Sequence, residues 1–432
     1  VGLGNIWRFP YLAAKYGGGI FLLVYIILAL TFGYTLIMAE TSLGRMTRKS
    51  PVGAFESFGN SRFISIGGWI NAIIPILIVP YYSVIGGWVI KYLIEYFAGH
   101  SKTLAGDAYF TTFISNGWST EICFIIFTLF TLGIIYAGVR NGIERVSKFM
   151  MPILIVLSLI IAVYSVTRPG AIEGVKYFLV PNFDHFSWMT VVSAMGQMFY
   201  SLSIAMGILI TFGSYMKKDT SIEKSTENVE IFDTAIAIMA GLMIIPAVFA
   251  FSGGNAETLK SGPALMFITI PKVFANMGFG TAIGIVFFLL VLFAAVTSSI
   301  ALTESAVSTF EDELHWSRKK STVFMGMVML LLGTLSCLGY GPLANFKILG
   351  MQFLDFFDFI TNSVMMPIAA MLTSLFVSRI VGMKRMEEEI MHGESTFRRK
   401  KIFIVMIKYL CPLFAAIILI SSVANAFGII TM

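Results

Sequence analysis

Charge is scarce in this chain: Asp, Glu, Lys and Arg together make up 12% of its 432 residues, against 57% hydrophobic. A soluble globule carries roughly 25% charged residues, so a surface that faces water on all sides is excluded. The mean hydropathy of +0.84 agrees. Cysteine is rare as well. Cys123, Cys337 and Cys411 all fall in apolar stretches, which excludes a disulfide framework and makes them small buried hydrophobes. The four histidines, His100, His185, His315 and His392, lie in loops or at the ends of apolar runs, so no histidine proton relay or intramembrane zinc site is visible. A membrane hydrolase would need an activated nucleophile with a base. The chain has no Gly-x-Ser-x-Gly.

What the chain does have is long hydrophobic runs. A helix needs roughly 20 apolar residues to cross a hydrocarbon core. Such runs occur near 19–44, 65–97, 119–139, 149–167, 187–214, 231–253, 279–308, 322–339, 353–381 and 402–428. With an opening half-span they predict about 11 transmembrane helices, an all-α polytopic protein of the cell (inner) membrane. The chain begins without Met in the middle of an element; a preceding segment that completes the first helix is expected. Basic residues set the orientation, because short cytoplasmic loops collect Lys and Arg. Arg45 to Arg62, Arg140 to Lys148, Lys217 to Lys224, Arg318 to Lys320 and Arg379 to Lys408 place 21 of 30 on one side. The net charge of +6 is therefore topology plus contact with anionic lipid, and needs no nucleic acid.

Two segments look like broken helix. Gly2-Leu3-Gly4-Asn5 joins two glycines to an amide directly ahead of Arg8. Glycines tolerate unusual backbone angles, and bare backbone survives at membrane depth only where protein buries it or it lines a watery cavity. An interfacial loop with a snorkelling Arg8 is the alternative. Tyr200-Ser201-Leu202-Ser203-Ile204-Ala205-Met206-Gly207 interrupts a long apolar run five spans later. Serines that merely pack helices closely are the alternative there. Two breaks in corresponding positions predict inverted repeats of five spans with a site at the midplane between them. The expected division is 1–167 for the first repeat, 168–186 for an extracellular loop, 187–381 for the second repeat, and 382–432 for a cytoplasmic loop and span 11.

The polar groups inside the spans, Asn5, Ser201, Asp233, Thr297 and Ser298, offer oxygen and nothing soft. That suits a small hard cation better than zinc or iron. Thr297-Ser298 is also readable as hydroxyls bonding back to their own helix, and Asp233 as a solvated helix cap. A buried carboxylate otherwise needs a cation or a proton.

The run Gly2-Leu3-Gly4-Asn5-Ile6-Trp7-Arg8-Phe9-Pro10-Tyr11 followed by Gly17-Gly18-Gly19 strongly resembles the opening of the neurotransmitter:sodium symporters. The likeness continues through Glu40 to Gly44-Arg45, Tyr81-Tyr82, Gln197 to Gly207, Ser214-Tyr215, Thr297-Ser298-Ser299 and Glu311-Asp312-Glu313-Leu314, and so covers the whole chain. Eleven spans are similar to its bacterial amino-acid branch. The resemblance implies a five-plus-five inverted-repeat transporter fold with two discontinuous helices, and sodium-coupled import of an L-amino acid by alternating access.

Position by position, the resemblance implies a first sodium held by Asn5, Ser201 and Asp233 with the substrate carboxylate. It implies a second held by the carbonyls of Val1 and Ala294 and the hydroxyls of Thr297 and Ser298. The substrate carboxylate would meet the N–H groups near Leu3 and Gly4 and the Tyr82 hydroxyl, and its ammonium the carbonyls around Tyr200 and Ser203. Its side chain would lie among Tyr82, Ile85, Tyr200, Met206, Ser298 and Leu302. Met206 is flexible and Ala205 leaves room, which favours large hydrophobic or aromatic substrates. Asp233 stands where chloride-dependent relatives carry asparagine, so no chloride requirement is expected, although Tyr25 and Gln197 remain as chloride neighbours.

Arg8 and Asp358 would close the outer side with Tyr82 and Tyr200 as an aromatic lid. Tyr215 and Asp312 resemble part of an inner gate, and Glu40 would tie its helix to unwound backbone. A sodium-independent or proton-coupled exchanger of the same architecture would carry a basic residue in place of the Thr297-Ser298 hydroxyls. A sensor that binds without transport stays open, as does a homodimer.

Overall fold

The computed structural model describes residues 2–254, 264–392, 394 and 396–429. Among them, nine uninterrupted helices are long and apolar enough to cross a bilayer. In hydrocarbon every backbone group must find its partner inside the segment, and a helix achieves that by itself. Two further crossings are made of shorter pieces. In chain order, span 1 comprises Gly4–Arg8 and Phe9–Lys15, followed by span 2, Gly19–Thr47, span 3, Arg62–Phe97, span 4, Gly117–Tyr136, and span 5, Val139–Val166. Span 6 is Trp188–Ser201 and Ile208–Tyr215. Span 7, Ile222–Ser252, span 8, Gly280–Leu314, span 9, Arg318–Leu338, span 10, Phe353–Val381, and span 11, Lys400–Ala426, complete the set. The fold is all-α, with two isolated β-bridges as the remaining regular pairing among the described residues.

The apolar run expected over 187–214 is thus two helices. Ser187 starts the first with a capping box, its Oγ accepting the Thr190 N–H while Thr190 Oγ1 accepts the Ser187 N–H, both at 3.2 Å. Such a box satisfies donors that a helix start otherwise leaves open. The helix stops at Ser201 because the next residues leave helical angles: Ser203, Ala205 and Gly207 have φ of 55°, 59° and 69°. Left-handed backbone at two non-glycine residues is strained. Glu40 of span 2 supports it by accepting the Ala205 N–H at 2.8 Å. Span 1 runs unbroken through Gly4–Arg8 and Phe9–Lys15, and the Gly2 and Leu3 N–H groups ahead of it are taken by Asn5 Oδ1 and Tyr82 Oη.

Packing sorts the spans. In the most apolar window of span 3, 78% of residues are buried, and in those of spans 5 and 11 only 33%. Span 3 is central and spans 5 and 11 form the rim, where side chains such as Phe149 and Leu413 face outward. Spans 2 and 6 touch backbone to backbone. A Cβ on Gly44 would collide with the Ile210 carbonyl, and one on Gly213 with the Thr41 carbonyl, so both positions need the smallest residue for this close approach.

Candidate functional site

The start of span 1 meets the interruption of span 6 at the centre of the bundle. Asn5, at the start of span 1, donates from Nδ2 to Ser201 Oγ at 2.8 Å and to Asp233 Oδ1 at 2.7 Å. Ser201 Oγ donates to the same carboxylate at 2.8 Å, and Tyr25 Oη donates to Asp233 Oδ2 at 2.9 Å. Asp233 lies well inside span 7 with 3% of its surface exposed, so the helix-cap alternative does not describe it. Three residues from spans 1, 6 and 7 expected to share a cation are therefore in mutual contact. Asn5 Oδ1 accepts the Gly2 N–H at 3.0 Å; a half-turn of the amide exchanges Nδ2 for Oδ1 and makes the cluster all oxygen at the cost of that bond. Gln197 donates from Nε2 to the Gly4 carbonyl at 2.8 Å, and it holds the first turn of span 1 against span 6.

The second expected set sits on span 8. Thr297 Oγ1 lies 3.1 Å from the carbonyls of both Phe293 and Ala294. The hydroxyl therefore bonds back to its own helix, and that bond brings the Thr297 and Ala294 oxygens side by side. Ser298, on the next position, faces the backbone of Gly2 and the hydroxyl of Tyr82. Val1 lies outside the described residues.

Between these groups is a small cavity of about 40 Å³. Leu3, Gly4, Tyr82, Tyr200, Ser203, Met206, Ser298 and Leu302 line it, together with Gly2, Asn5, Ile78, Ser201 and Ile208. Ile85 is not among the lining residues. It shares a face of span 3 with Tyr82 and Ile78, one turn to either side of Tyr82, and the cavity extends toward Ile78. One end is polar: Tyr82 Oη accepts the Leu3 N–H at 3.3 Å. The other end, Ile78, Met206, Ile208 and Leu302, is hydrocarbon and thioether. Gly4 presses flat against the Tyr200 ring, which stands where a Cβ would be.

Toward the outside, the Arg8 guanidinium lies over the Tyr200 ring, 5.3 Å from its centroid. Asp358 accepts hydrogen bonds from Tyr81 Oη at 3.2 Å and Asn362 Nδ2 at 2.5 Å. Arg8 and Asp358 are not joined in a salt bridge among the described residues. Toward the inside, the structure does not bring Tyr215 and Asp312 together. Tyr215 Oη donates to Glu304 Oε1 at 2.7 Å, and Asp312 Oδ2 accepts the Ser50 N–H at 2.5 Å. Glu304, fully buried, also holds Arg318 at 2.5 and 3.1 Å.

Sequence reasoning passed over Glu304 and Arg318. Their signal was an acidic residue two turns past Thr297 and a basic one opening the next span. It also missed Arg45, fully buried, which donates from Nε to Glu389 Oε1 at 2.7 Å and from Nη1 to the Thr220 carbonyl at 2.5 Å.

Comparison with known proteins places this geometry. The family model described as the sodium:neurotransmitter symporter family matches residues 1–125 and 111–429. A sodium-dependent transporter of Bacillus subtilis, YhdH, is 33% identical over 434 residues, which cover 100% of this chain and 95% of that protein. The human sodium- and chloride-dependent GABA transporter 2 is 27% identical, over 90% of this chain and 72% of its own length. Among solved structures, MhsT in complex with L-phenylalanine superposes with a TM-score of 0.88 at 34% identity, over 98% of this chain and 96% of that one.

Proposed function

The chain belongs to the sodium:neurotransmitter symporter family and is a sodium-coupled, multi-pass membrane transporter; from that premise we propose that it imports a large hydrophobic or aromatic L-amino acid with two sodium ions and without chloride. The observation that carries this reading is the shared wall: Asn5 and Ser201 belong both to the cavity and to the Asp233 cluster. A cation held there lies beside the polar end of the cavity, where the Leu3 and Gly4 backbone and the Tyr82 hydroxyl receive a carboxylate. Each ligand then raises the affinity for the other, because coupling between two sites is reciprocal.

The apolar end is lined by flexible Met206 beside Ile78 and Ile208, side chains that can yield to a bulky apolar group, and L-phenylalanine is the ligand in the MhsT complex. Thr297, Ser298 and the Ala294 carbonyl supply the second cation set. Chloride has little to bind. The Tyr25 hydroxyl is engaged by Asp233 and the Gln197 N–H by Gly4, and Asp233 supplies the negative charge itself. Arg8 and Tyr200 close over the substrate from outside.

Uptake into proteoliposomes decides the matter, with all twenty amino acids, sodium against potassium and chloride against gluconate. Phenylalanine, tryptophan, tyrosine or leucine should accumulate in sodium gluconate and not in potassium. Asp233→Asn should abolish uptake in gluconate. Preference for glycine, or a requirement for chloride in the parent protein, would overturn the corresponding part.

A further inference from the structure

Behind the interrupted segment of span 6 lies a second cavity of about 480 Å³, between spans 5 and 7. Ser201, Ser203 and Ile208 line it and also line the substrate cavity. The unwound segment is thus a partition one backbone thick. The walls are mostly hydrocarbon, and the mouth is formed by Ile155, Val229 and Phe232, which are 38%, 41% and 56% exposed, with exposed Asn228 beside them. The wall residues lie midway along span 5 and in the first half of span 7, so the mouth opens sideways between the two spans toward the bilayer.

At the deep end is Asp233, which lines this crevice and not the substrate cavity. Its side-chain partners among the described residues, Asn5, Ser201 and Tyr25, are all neutral. A carboxylate with neutral partners at the blind end of an apolar cleft favours an entering positive charge, and the low dielectric strengthens that attraction.

We propose that the crevice binds a lipophilic ammonium ion. The alkyl chain lies between spans 5 and 7, and the ammonium faces Asp233 with the Ser203 hydroxyl beside it. Such a molecule excludes sodium from the Asp233 cluster from the membrane side while the substrate cavity stays open. The sodium clause rests on the reading given under Proposed function; the crevice itself does not.

Dodecylammonium tests this in proteoliposomes, with dodecanol (the same chain without charge) and ethylammonium (charge without chain) as controls. Dodecylammonium should raise the sodium concentration for half-maximal uptake by about tenfold, within the usual range of coupling between sites, and leave uptake at saturating sodium unchanged. Equal effects of dodecanol would overturn the proposal in favour of a general bilayer effect. Filling the mouth with Ile155→Trp and Val229→Trp should remove the shift; a shift that persists places the amine elsewhere.

A photoreactive alkylammonium on the unmodified protein needs no variant. Labelling confined to 151–155 and 229–236 supports the crevice, and its absence there overturns it. Labelling in the crevice that sodium fails to displace keeps the amine site and overturns the sodium role of Asp233.

Discussion

At the outer end of the substrate path, Arg8 rests on the Tyr200 ring at 5.3 Å and Asp358 takes single hydrogen bonds from Tyr81 and Asn362. At the inner end, buried Glu304 grips Arg318 through both oxygens and accepts the Tyr215 hydroxyl, while Arg45 is locked between Glu389 and the Thr220 carbonyl. Apart from buried Tyr81, the outer contacts involve partly exposed groups that water can replace on opening. The inner ones hold charge in low dielectric, where separating partners leaves an uncompensated ion. The two ends thus open at unequal cost. Binding of substrate and sodium at the centre has to supply the difference before the inner end can part.

The sharpest way to break that contrast is Glu304→Ala, which leaves the Arg318 guanidinium with Glu311 at 3.5 Å and the Ile135 carbonyl and takes the acceptor from Tyr215. Two charge-assisted hydrogen bonds are lost, each worth about 1.5–3 kcal/mol. The variant should melt well below the parent in detergent, and a cysteine placed at Ser214 should react faster with a polar thiol reagent from the inside. Glu304→Gln, which still accepts from Tyr215, should lose less. Unchanged melting and unchanged reactivity in the alanine variant would put the two ends on an equal footing.

Arg45→Lys should cost roughly 1.5–3 kcal/mol, the worth of a charge-assisted hydrogen bond. One ammonium cannot reproduce the three-way grip of a planar guanidinium. Thermal melting reads this loss directly. A lysine variant as stable as the parent would mean that buried volume, rather than the fork geometry, holds this corner.

At the outer end the question is whether Arg8 and Asp358 pair during transport. Exchanging the charges, Arg8→Asp with Asp358→Arg, should recover part of the uptake lost by either single change, with a coupling on the order of 1 kcal/mol in a double-mutant cycle. Strictly additive losses would show that the two never meet. Smallest of all, Tyr81→Phe removes one donor from an Asp358 that keeps Asn362. It should cost about 0.5 kcal/mol, the low end for a single hydrogen bond, and leave maximal uptake within about twofold. A loss as large as that of Arg45→Lys would erase the asymmetry between the ends.

Much of this molecule is written in the order of its residues. A bilayer makes each helix satisfy its own backbone locally, so the eleven crossings follow from runs of apolar residues and their orientation from the basic loops. The interruption at 202–207 is signalled locally by its serines and Gly207, but its strained backbone is held by Glu40 of span 2. Asn5, Ser201, Asp233, Thr297 and Ser298 stood out because a polar oxygen inside an apolar run is costly wherever the run packs.

What only the tertiary structure decided is which distant groups meet and at what depth. Ile78, Tyr82 and Ile85 share one helical face by spacing alone, but the height of the cavity along that face selects Ile78. Arg45 and Glu389 are 344 positions apart, and nothing in either neighbourhood names the other. Glu304 turns toward Arg318 and Tyr215, and Asp312 toward the Ser50 N–H, because spans 6, 8 and 9 converge at the inner end. The physical reason is the range of the interactions: helix formation and burial are set within a few turns of chain, whereas ion pairs and cavities are set by the packing of whole spans against one another.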